Sequence, residues 1–175
     1  PVGEENAVLS APTGSGKTLV AYLWSGLLDK EGNPQIPDIS RVIFTAPIKA
    51  LSNERYMDLR RMGFDVGIET GDFKRNEEAP IICCTQEIYT LKYTKAPHQK
   101  LIIDEFHYIF EDPDRARTYI DGIRETAPTT SILVMSATFS EPGAIGRYLE
   151  SITERSFVVY QGEERATELI YTPKK

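Results

Sequence analysis

A glycine-rich loop between two periodic segments places the tightest constraint on the fold of this chain. The apolar run AVLS, residues 7–10, leads into APTGSGKTLV, residues 11–20, and then into apolar residues at helical spacing. Glycines allow the backbone to curl so that successive N–H groups point inward, and the following helix adds the positive end of its dipole. The segment therefore predicts a strand, a phosphate-binding turn and a helix, in that order.

The predicted phosphate site contains one cation and one metal ligand. Lys17 would reach the terminal phosphates of a nucleotide, and the Thr18 hydroxyl would bind a magnesium ion. The residues predicted to hold the nucleotide phosphates are Thr13, Gly14, Ser15, Gly16, Lys17 and Thr18. Many unrelated enzymes use such a loop, so other motifs must indicate what the nucleotide drives.

Short apolar strands alternate with helical patterns along the rest of the chain. The predicted strands are residues 6–10, RVIFTAP, VGIET, PIICCT, KLIID, SILVMSAT and FVVYQ, and the predicted helices are residues 16–29, 49–62, 86–93, 115–126 and 142–152. Strands of this kind build an α/β fold with a mostly parallel central sheet and helices on both faces. Ligands of such sheets bind at the carboxyl ends of the strands.

Single residues along these elements have plain structural interpretations. The first helix carries a predicted buried stripe of Leu19, Val20, Leu23, Trp24, Leu27 and Leu28. Trp24 is therefore expected in the core rather than against a nucleic-acid base. Residues 30–40, with one glycine and two prolines, are predicted to form a surface loop.

Composition and charge limit the class of protein. The 175 residues are 41% apolar and 26% charged, which is typical of one globular domain with a single core. The net charge of −6 argues against a broadly basic surface, so any contact to nucleic acid must be local.

The two cysteines and the chain start indicate an intracellular setting. Cys83 and Cys84 are adjacent in a predicted strand and would point to opposite faces, which suits buried thiols better than a disulfide or a metal site. We find no signal peptide and no apolar run of membrane-spanning length, so a cytoplasmic protein without a membrane partner is expected. A start at Pro1, close to the glycine loop, suggests a piece of a longer protein.

Two carboxylates stand at the end of the apolar strand in LIIDEFH. Burying Asp104 and Glu105 without partners would be costly, and a magnesium ion would remove that cost. Asp104 would hold the metal, largely through water, while Glu105 would orient and deprotonate the water that attacks the γ-phosphate. The alternative is a solvated strand end.

A hydroxyl pair and a histidine follow on the same edge of the predicted sheet. Ser136 and Thr138 end the next strand in the segment SAT, and His107 lies two residues after Glu105. Each could be an ordinary structural residue when taken alone. Together they are predicted to sense whether the γ-phosphate is present.

Six motifs in order give the chain a family resemblance. With APTGSGKT, TAPIKALSNER, TGD, TQE, DEFH and SAT, it resembles the first RecA-like motor domain of superfamily 2 helicases, in the superkiller-like branch of the DExH-box RNA helicases. The resemblance covers residues 6–138. It implies a RecA-like P-loop NTPase domain over residues 1–175, ATP and Mg²⁺ as cofactors, helicase ATPase activity, and a second RecA-like domain of the same protein as partner.

The resemblance also implies a track for the backbone of single-stranded RNA. Its residues would be Pro47, Lys49, Thr70, Gly71, Asp72, Thr85, Gln86 and Glu87. Backbone amides, short hydroxyls and one lysine can hold phosphates without a broadly basic surface and without reading base sequence.

The chain departs from the family pattern in three respects. Gln86 stands where the branch more often has a second threonine, and neither the upstream adenine-binding motif nor the arginine fingers of a second motor domain occur in this sequence. The chain by itself is therefore expected to be nearly inactive. Two alternatives stay open: a DNA helicase or translocase of the same superfamily, and a nucleotide-binding switch module without turnover.

Overall fold

One mixed sheet forms the centre of the computed structural model, which describes residues 5–12, 16–137, 142–161 and 173–174. Within those residues the strands are β1 (Ala7–Ser10), β2 (Arg41–Ala46), β3 (Val66–Thr70), β4 (Phe73–Arg75), β5 (Ile81–Thr85), β6 (Gln99–Ile103), β7 (Ser131–Ser136), β8 (Val158–Gln161) and β9 (Pro173–Lys174). Their order is β4-β3-β5-β2-β6-β7-β1-β8-β9. All neighbours pair in parallel except β3 with β4 and β8 with β9.

Helices cover both faces of this sheet. They are α1 (Lys17–Ser25), α2 (Lys49–Arg61), α3 (Gln86–Lys92), α4 (Pro113–Glu125) and α5 (Pro142–Thr153), with a 3-10 helix at Phe106–Phe110. Trp24 of α1 and Leu59 of α2 share one apolar cluster, whereas Tyr89 of α3 and Ile123 of α4 belong to the cluster on the opposite face. The predicted α/β architecture is confirmed.

Strand alternation divides the core into these two clusters. In β5, Cys83 faces the first cluster and Cys84 faces the second, and both are free and fully buried. Burial raises the pKa of the Cys83 thiol to about 12. The prediction of two buried thiols on opposite faces is confirmed.

The first helix is shorter than predicted. Gly26 adopts φ 85° and its N–H donates to the carbonyl of Leu23, so α1 stops at Ser25 and does not reach residue 29. A left-handed residue at this position ends helices because only glycine adopts it at little cost. Leu27 and Leu28 remain buried beyond the helix, and Trp24, 4% exposed, is a core residue as predicted.

Three elements were not predicted from the sequence: the two-residue strand β9 and two insertions between predicted elements. β4 turns back from β3 as an exposed antiparallel edge strand. The 3-10 helix begins directly after Glu105, and α4 then begins at Pro113 because the Asp112 carboxylate accepts a hydrogen bond from the N–H of Asp114. Both insertions lie next to the carboxyl edge of the sheet.

The carboxyl edge places the ends of distant segments side by side. Ser10 at the end of β1 pairs with Ser136 at the end of β7, and the N–H of Ala11 donates to the carbonyl of Ser136. On the other side of β7, β6 ends one residue before Asp104, whose N–H donates to the carbonyl of Thr45 in β2. The segments after β1, β2, β6 and β7 therefore form one edge.

Candidate nucleotide and nucleic-acid site

The N-terminus of α1 lies at this edge directly after β1. Gly16 caps the helix in a left-handed conformation, with φ 89°, and Lys17 and Thr18 form its first turn. A glycine is required there because other residues rarely adopt this backbone angle. Thr13, Gly14 and Ser15, which were predicted to hold phosphates, lie outside the described residues.

A cavity of about 850 Å³ opens beside this helix start. It joins the first turn of α1 to the two carboxylates after β6 and to one side of α2. Its lining consists of Gly16, Lys17, Thr18, Leu51, Asn53, Glu54, Arg55, Met57, Asp58, Arg61, Asp104, Glu105 and Met135. The structure therefore brings all the described phosphate, metal and water-activating candidates into one cleft of a size typical of ligand sites.

Arg55, which the sequence analysis missed, lies between the two predicted metal ligands. Its Nη2 donates to Thr18 Oγ1 at 3.4 Å and to Asp104 Oδ2 at 3.3 Å. The two oxygens therefore already share one cation. This arrangement fits the prediction that Thr18 and Asp104 can hold a magnesium ion, which prefers oxygen ligands.

The charge of Arg55 is secured by its neighbours. Burial would lower the pKa of its guanidinium, but the favourable interactions with Tyr22, Asp104 and Cys83 together outweigh burial and raise the pKa. The guanidinium also lies over the rings of Tyr22 and Phe44, at 5.5 and 5.7 Å from their centroids. In the sequence, Arg55 is marked only by its place at the end of the motif TAPIKALSNER, which the resemblance assigned to nucleic-acid binding.

Glu105 has an unusual backbone conformation. Its φ of 55° lies in the left-handed region, and its N–H donates to Asp104 Oδ1 at 2.9 Å. A non-glycine residue in this region costs on the order of 1 kcal/mol, and such residues are enriched at functional sites. The turn directs the Glu105 carboxylate towards His107 Nε2, 3.0 Å away.

His107 connects Glu105 to the end of β7. Its Nδ1 accepts a hydrogen bond from the N–H of Ala137 at 3.1 Å, so a neutral ring carries its proton on Nε2 and donates it to the Glu105 carboxylate. Ser136 Oγ donates to the Ala137 carbonyl, and Lys17 Nζ donates to the Ser136 carbonyl at 3.2 Å. The predicted coupling residues His107 and Ser136 thus meet the predicted catalytic residues, while Thr138 lies outside the described residues.

A second cavity of about 480 Å³ lies where the predicted nucleic-acid residues converge. Its lining consists of Pro47, Ile48, Lys49, Ala50, Gly71, Thr85, Glu87, Ile88 and Arg115. We call this surface the groove. Five of the eight predicted track residues line it: Pro47, Lys49, Gly71, Thr85 and Glu87.

Residues in and beside the groove make contacts that the sequence did not reveal. Lys49 forms an ion pair with Asp72, and both side chains are more than half exposed. Arg115, which was not predicted, donates from Nη1 to the carbonyl of Pro47 at 3.2 Å. Thr70 is buried, with 6% of its surface exposed. Arg115 therefore supplies a cation that sequence spacing did not associate with this surface.

Gln86 was predicted on the track but lies inside the protein. It is 0% exposed, and a Cβ added at Gly122 of α4 would approach its Nε2 to 2.7 Å. Among the described residues neither atom of its side-chain amide has a hydrogen-bond partner. The first turn of α3 directs the Gln86 side chain towards α4 instead of the groove, and its contact to nucleic acid stays a prediction.

Comparison with known proteins identifies the family. A family model for the DEAD/DEAH box helicases matches residues 2–144. The chain belongs to this family. Similar proteins include Superkiller complex protein 2 of Homo sapiens, 33% identical over 139 residues, and the ATP-dependent RNA helicase mtr4 of Schizosaccharomyces pombe, 31% identical over 173 residues. These alignments cover 77% and 95% of this chain but only 10% and 15% of the two relatives.

Solved structures of helicases share the fold of this DEAD/DEAH box domain. Dbp5 of S. cerevisiae, bound to RNA and ADP BeF3, matches with a TM-score of 0.65 and 20% identity over 94% of this chain and 43% of that chain. The helicase MrfA, bound to DNA, matches with a TM-score of 0.61 and 17% identity over 92% of this chain and 24% of that chain. These likenesses confirm the RecA-like fold.

Both the predicted helicase family and the predicted RecA-like fold are therefore confirmed. The superkiller-like DExH-box resemblance agrees with the relatives, and the chain is a DEAD/DEAH box helicase domain. Helices long and apolar enough to cross a membrane are lacking from the described part of the chain.

Proposed function

We propose that this chain is the first motor domain of an ATP-dependent RNA helicase and that it binds Mg-ATP in the cleft beside α1. The observation that carries the proposal is the meeting of Lys17, Thr18, Asp104 and Glu105 around one cavity at the carboxyl edge of the sheet. Lys17 and Thr18 are almost ninety positions before Asp104 and Glu105 in the sequence. A cation, a hydroxyl and two carboxylates in one cleft are the groups that phosphoryl transfer requires.

Each residue has a chemical role in this proposal. The Lys17 ammonium neutralises charge on the β- and γ-phosphates, in place of its present contact with the Ser136 carbonyl. Thr18 and Asp104 would hold the magnesium ion, which supplies charge neutralisation at the phosphates. Glu105 orients the attacking water and accepts its proton, while His107 holds the Glu105 carboxylate through Nε2–H.

The groove is proposed to bind the backbone of one RNA strand. Lys49 begins α2 at its rim, so an ammonium and the first N–H groups of that helix are available to a phosphate. Lys49 is paired with Asp72, and this pair must open or share its charge when a phosphate binds. Binding through a small number of phosphate contacts does not require a basic protein, so it is compatible with the net charge of −6. Because these contacts are electrostatic, the binding of RNA should weaken strongly as the salt concentration rises.

Turnover is proposed to need a second RecA-like domain. The chain spans at most 15% of the length of the two relatives described above, so the activity of those proteins cannot be assigned to this part alone. The transition state spreads negative charge over the γ-phosphate oxygens, and an arginine from another domain typically contributes about 10³ to 10⁵ in rate. The isolated chain should therefore release phosphate very slowly, and closure with a second domain should restore the rate.

The test of the nucleotide site is calorimetry with the Lys17→Ala variant. The parental chain should bind Mg-ADP, and Lys17→Ala should weaken that binding by about tenfold or more because a charge-assisted contact to phosphate is lost. Lys30→Ala, which removes the same charge from an exposed position in the loop after α1, is the matched control and should bind like the parent. Absence of Mg-dependent binding to the folded parent, or equal affinity of the Lys17→Ala variant, would refute the site.

The nucleic-acid partner is tested with the full-length protein that contains this chain. The relative mtr4, 31% identical over most of the chain, is named as an ATP-dependent RNA helicase, which favours RNA, although the structurally similar MrfA was solved with DNA. Phosphate release should rise more with single-stranded RNA than with single-stranded DNA of the same length. Equal or greater stimulation by DNA would favour the DNA helicase alternative, and no turnover with either would favour the switch module.

A further inference from the structure

We propose that Arg55 is a positioning residue that competes with magnesium for Thr18 and Asp104. The proposal rests on the nucleotide site proposed above and adds a resident cation to it. In the described structure a single nitrogen, Nη2 of Arg55, is within hydrogen-bond distance of both oxygens, at 3.4 Å from Thr18 Oγ1 and 3.3 Å from Asp104 Oδ2. The two side chains are therefore bridged by one guanidinium nitrogen.

The position of Arg55 is incompatible with undisturbed binding of a dication to the same oxygens. A magnesium ion held by Thr18, and by Asp104 largely through its bound water, would need the space between these two oxygens in which Nη2 of Arg55 lies. Two cations beside one pair of oxygens repel each other, and the Asp104 Oδ2 lone pair that accepts from Arg55 would not be available to the metal or its water. Binding of the metal must therefore weaken or break the Arg55 contacts.

Arg55 has a second set of partners to which it can withdraw. Its Nη1 donates to the Tyr22 hydroxyl at 3.0 Å and is 3.8 Å from Asp58 Oδ2. The guanidinium also lies over the rings of Tyr22 and Phe44. These contacts do not involve the metal ligands, so the guanidinium stays paired when it releases Thr18 and Asp104.

Burial makes the competition effective. Only 16% of the Arg55 side chain and 22% of the Asp104 side chain are exposed, so water screens their interaction far less than it screens a surface pair. The contact is charge-assisted and the guanidinium fork is rigid, which favours holding two acceptors at once. Arg55 therefore sets the magnesium concentration at which the nucleotide binds tightly.

The experiment measures the magnesium dependence of nucleotide binding. Fluorescent mant-ADP is titrated onto the chain at a series of Mg²⁺ concentrations, and the half-saturating Mg²⁺ concentration is compared between variants. Arg55→Met removes the competing cation and should lower this concentration by about three- to tenfold, because a charge-assisted hydrogen bond no longer has to be broken. The affinity for mant-ADP at saturating Mg²⁺ should change by less than about twofold.

Two further variants separate this role from a structural one. Arg55→Lys keeps the charge but cannot span both oxygens with a planar fork, so it should give an intermediate magnesium dependence even if Arg55→Met does not fold. Arg60→Met removes the same charge from the same helix, where Arg60 lies over the ring of Tyr56. It should leave the magnesium dependence at the parental value.

The outcomes distinguish this inference from the proposed function. Parental mant-ADP binding without any effect of Arg55→Met or Arg55→Lys on magnesium dependence would overturn the competition and leave the nucleotide site intact. Weaker mant-ADP binding by Arg55→Met at saturating Mg²⁺ would make Arg55 a phosphate ligand and also overturn it. No Mg-dependent mant-ADP binding by the parental chain would overturn both proposals.

Discussion

Replacement of Glu105 by glutamine should separate hydrolysis from folding and binding. The change keeps the shape of the side chain and removes the carboxylate that is proposed to accept a proton from the attacking water. Loss of a positioned general base typically costs about 10² to 10⁴ in rate, so phosphate release by the full-length protein with single-stranded RNA should fall by about a hundredfold or more. Binding of Mg-ADP should persist, because Lys17, Thr18 and Asp104 are unchanged.

The cost in stability should be small, for reasons visible in the structure. The Glu105 side chain is 29% exposed, and within the described residues its carboxylate pairs with His107 Nε2 at 3.0 Å. The amide oxygen of glutamine can still accept the proton of Nε2, so the lost interaction is that of a partly exposed charge, worth about 1 kcal/mol or less. The left-handed backbone at φ 55° is equally accessible to both residues.

The assay pairs phosphate release with urea unfolding of the same preparations. Glu111→Gln, an identical change at an exposed position six residues further on, is the control and should alter neither quantity. Hydrolysis by Glu105→Gln within about threefold of the parent would refute its role as the base. A loss of more than about 2 kcal/mol of stability would show instead that the Glu105 carboxylate mainly supports the fold.

Two stability predictions test the packing and the buried thiols. Gly122→Ala would place a Cβ 2.5 Å from Thr90 Oγ1, so overpacking between α3 and α4 should cost about 1–3 kcal/mol in urea unfolding. Among the described residues, a Cβ added at Gly143 in α5 would meet only the far end of the Arg147 side chain, so Gly143→Ala should be neutral or stabilising. Equal effects of the two changes would contradict this packing. Burial raises the pKa of Cys83 from 9.0 to about 12 and that of Cys84 well above 9.0, so the unfolded chain loses these protons first as the pH rises. The contribution of the two neutral thiols to the free energy of unfolding should therefore be complete below about pH 9. It should fall towards pH 12 by about 1 kcal/mol per pH unit for each thiol. Cys83→Ala should reduce the slope of the free energy of unfolding against pH, measured by urea unfolding.

The sequence by itself determined the α/β class, the order of most strands and the place of the glycine loop and the DEFH motif. These features depend on local periodicity and on residue types that act through the backbone, such as glycine before α1. The opposite faces of Cys83 and Cys84 also followed from the sequence, because strand alternation is a local property. The core position of Trp24 followed from helical spacing in the same way.

Only the tertiary structure decided which side chains meet at the carboxyl edge. Arg55 belongs to a helix between β2 and β3, yet it contacts Thr18 after β1 and Asp104 after β6. Gln86 points into the interface with α4 rather than into the groove, and Arg115 reaches the Pro47 carbonyl from a helix that follows it by almost seventy positions. Periodicity shows that a helix has an inner face but not which strands and helices that face will meet. Those contacts are set by the order in which parallel strands assemble, and that order brings together segments that are far apart in the chain.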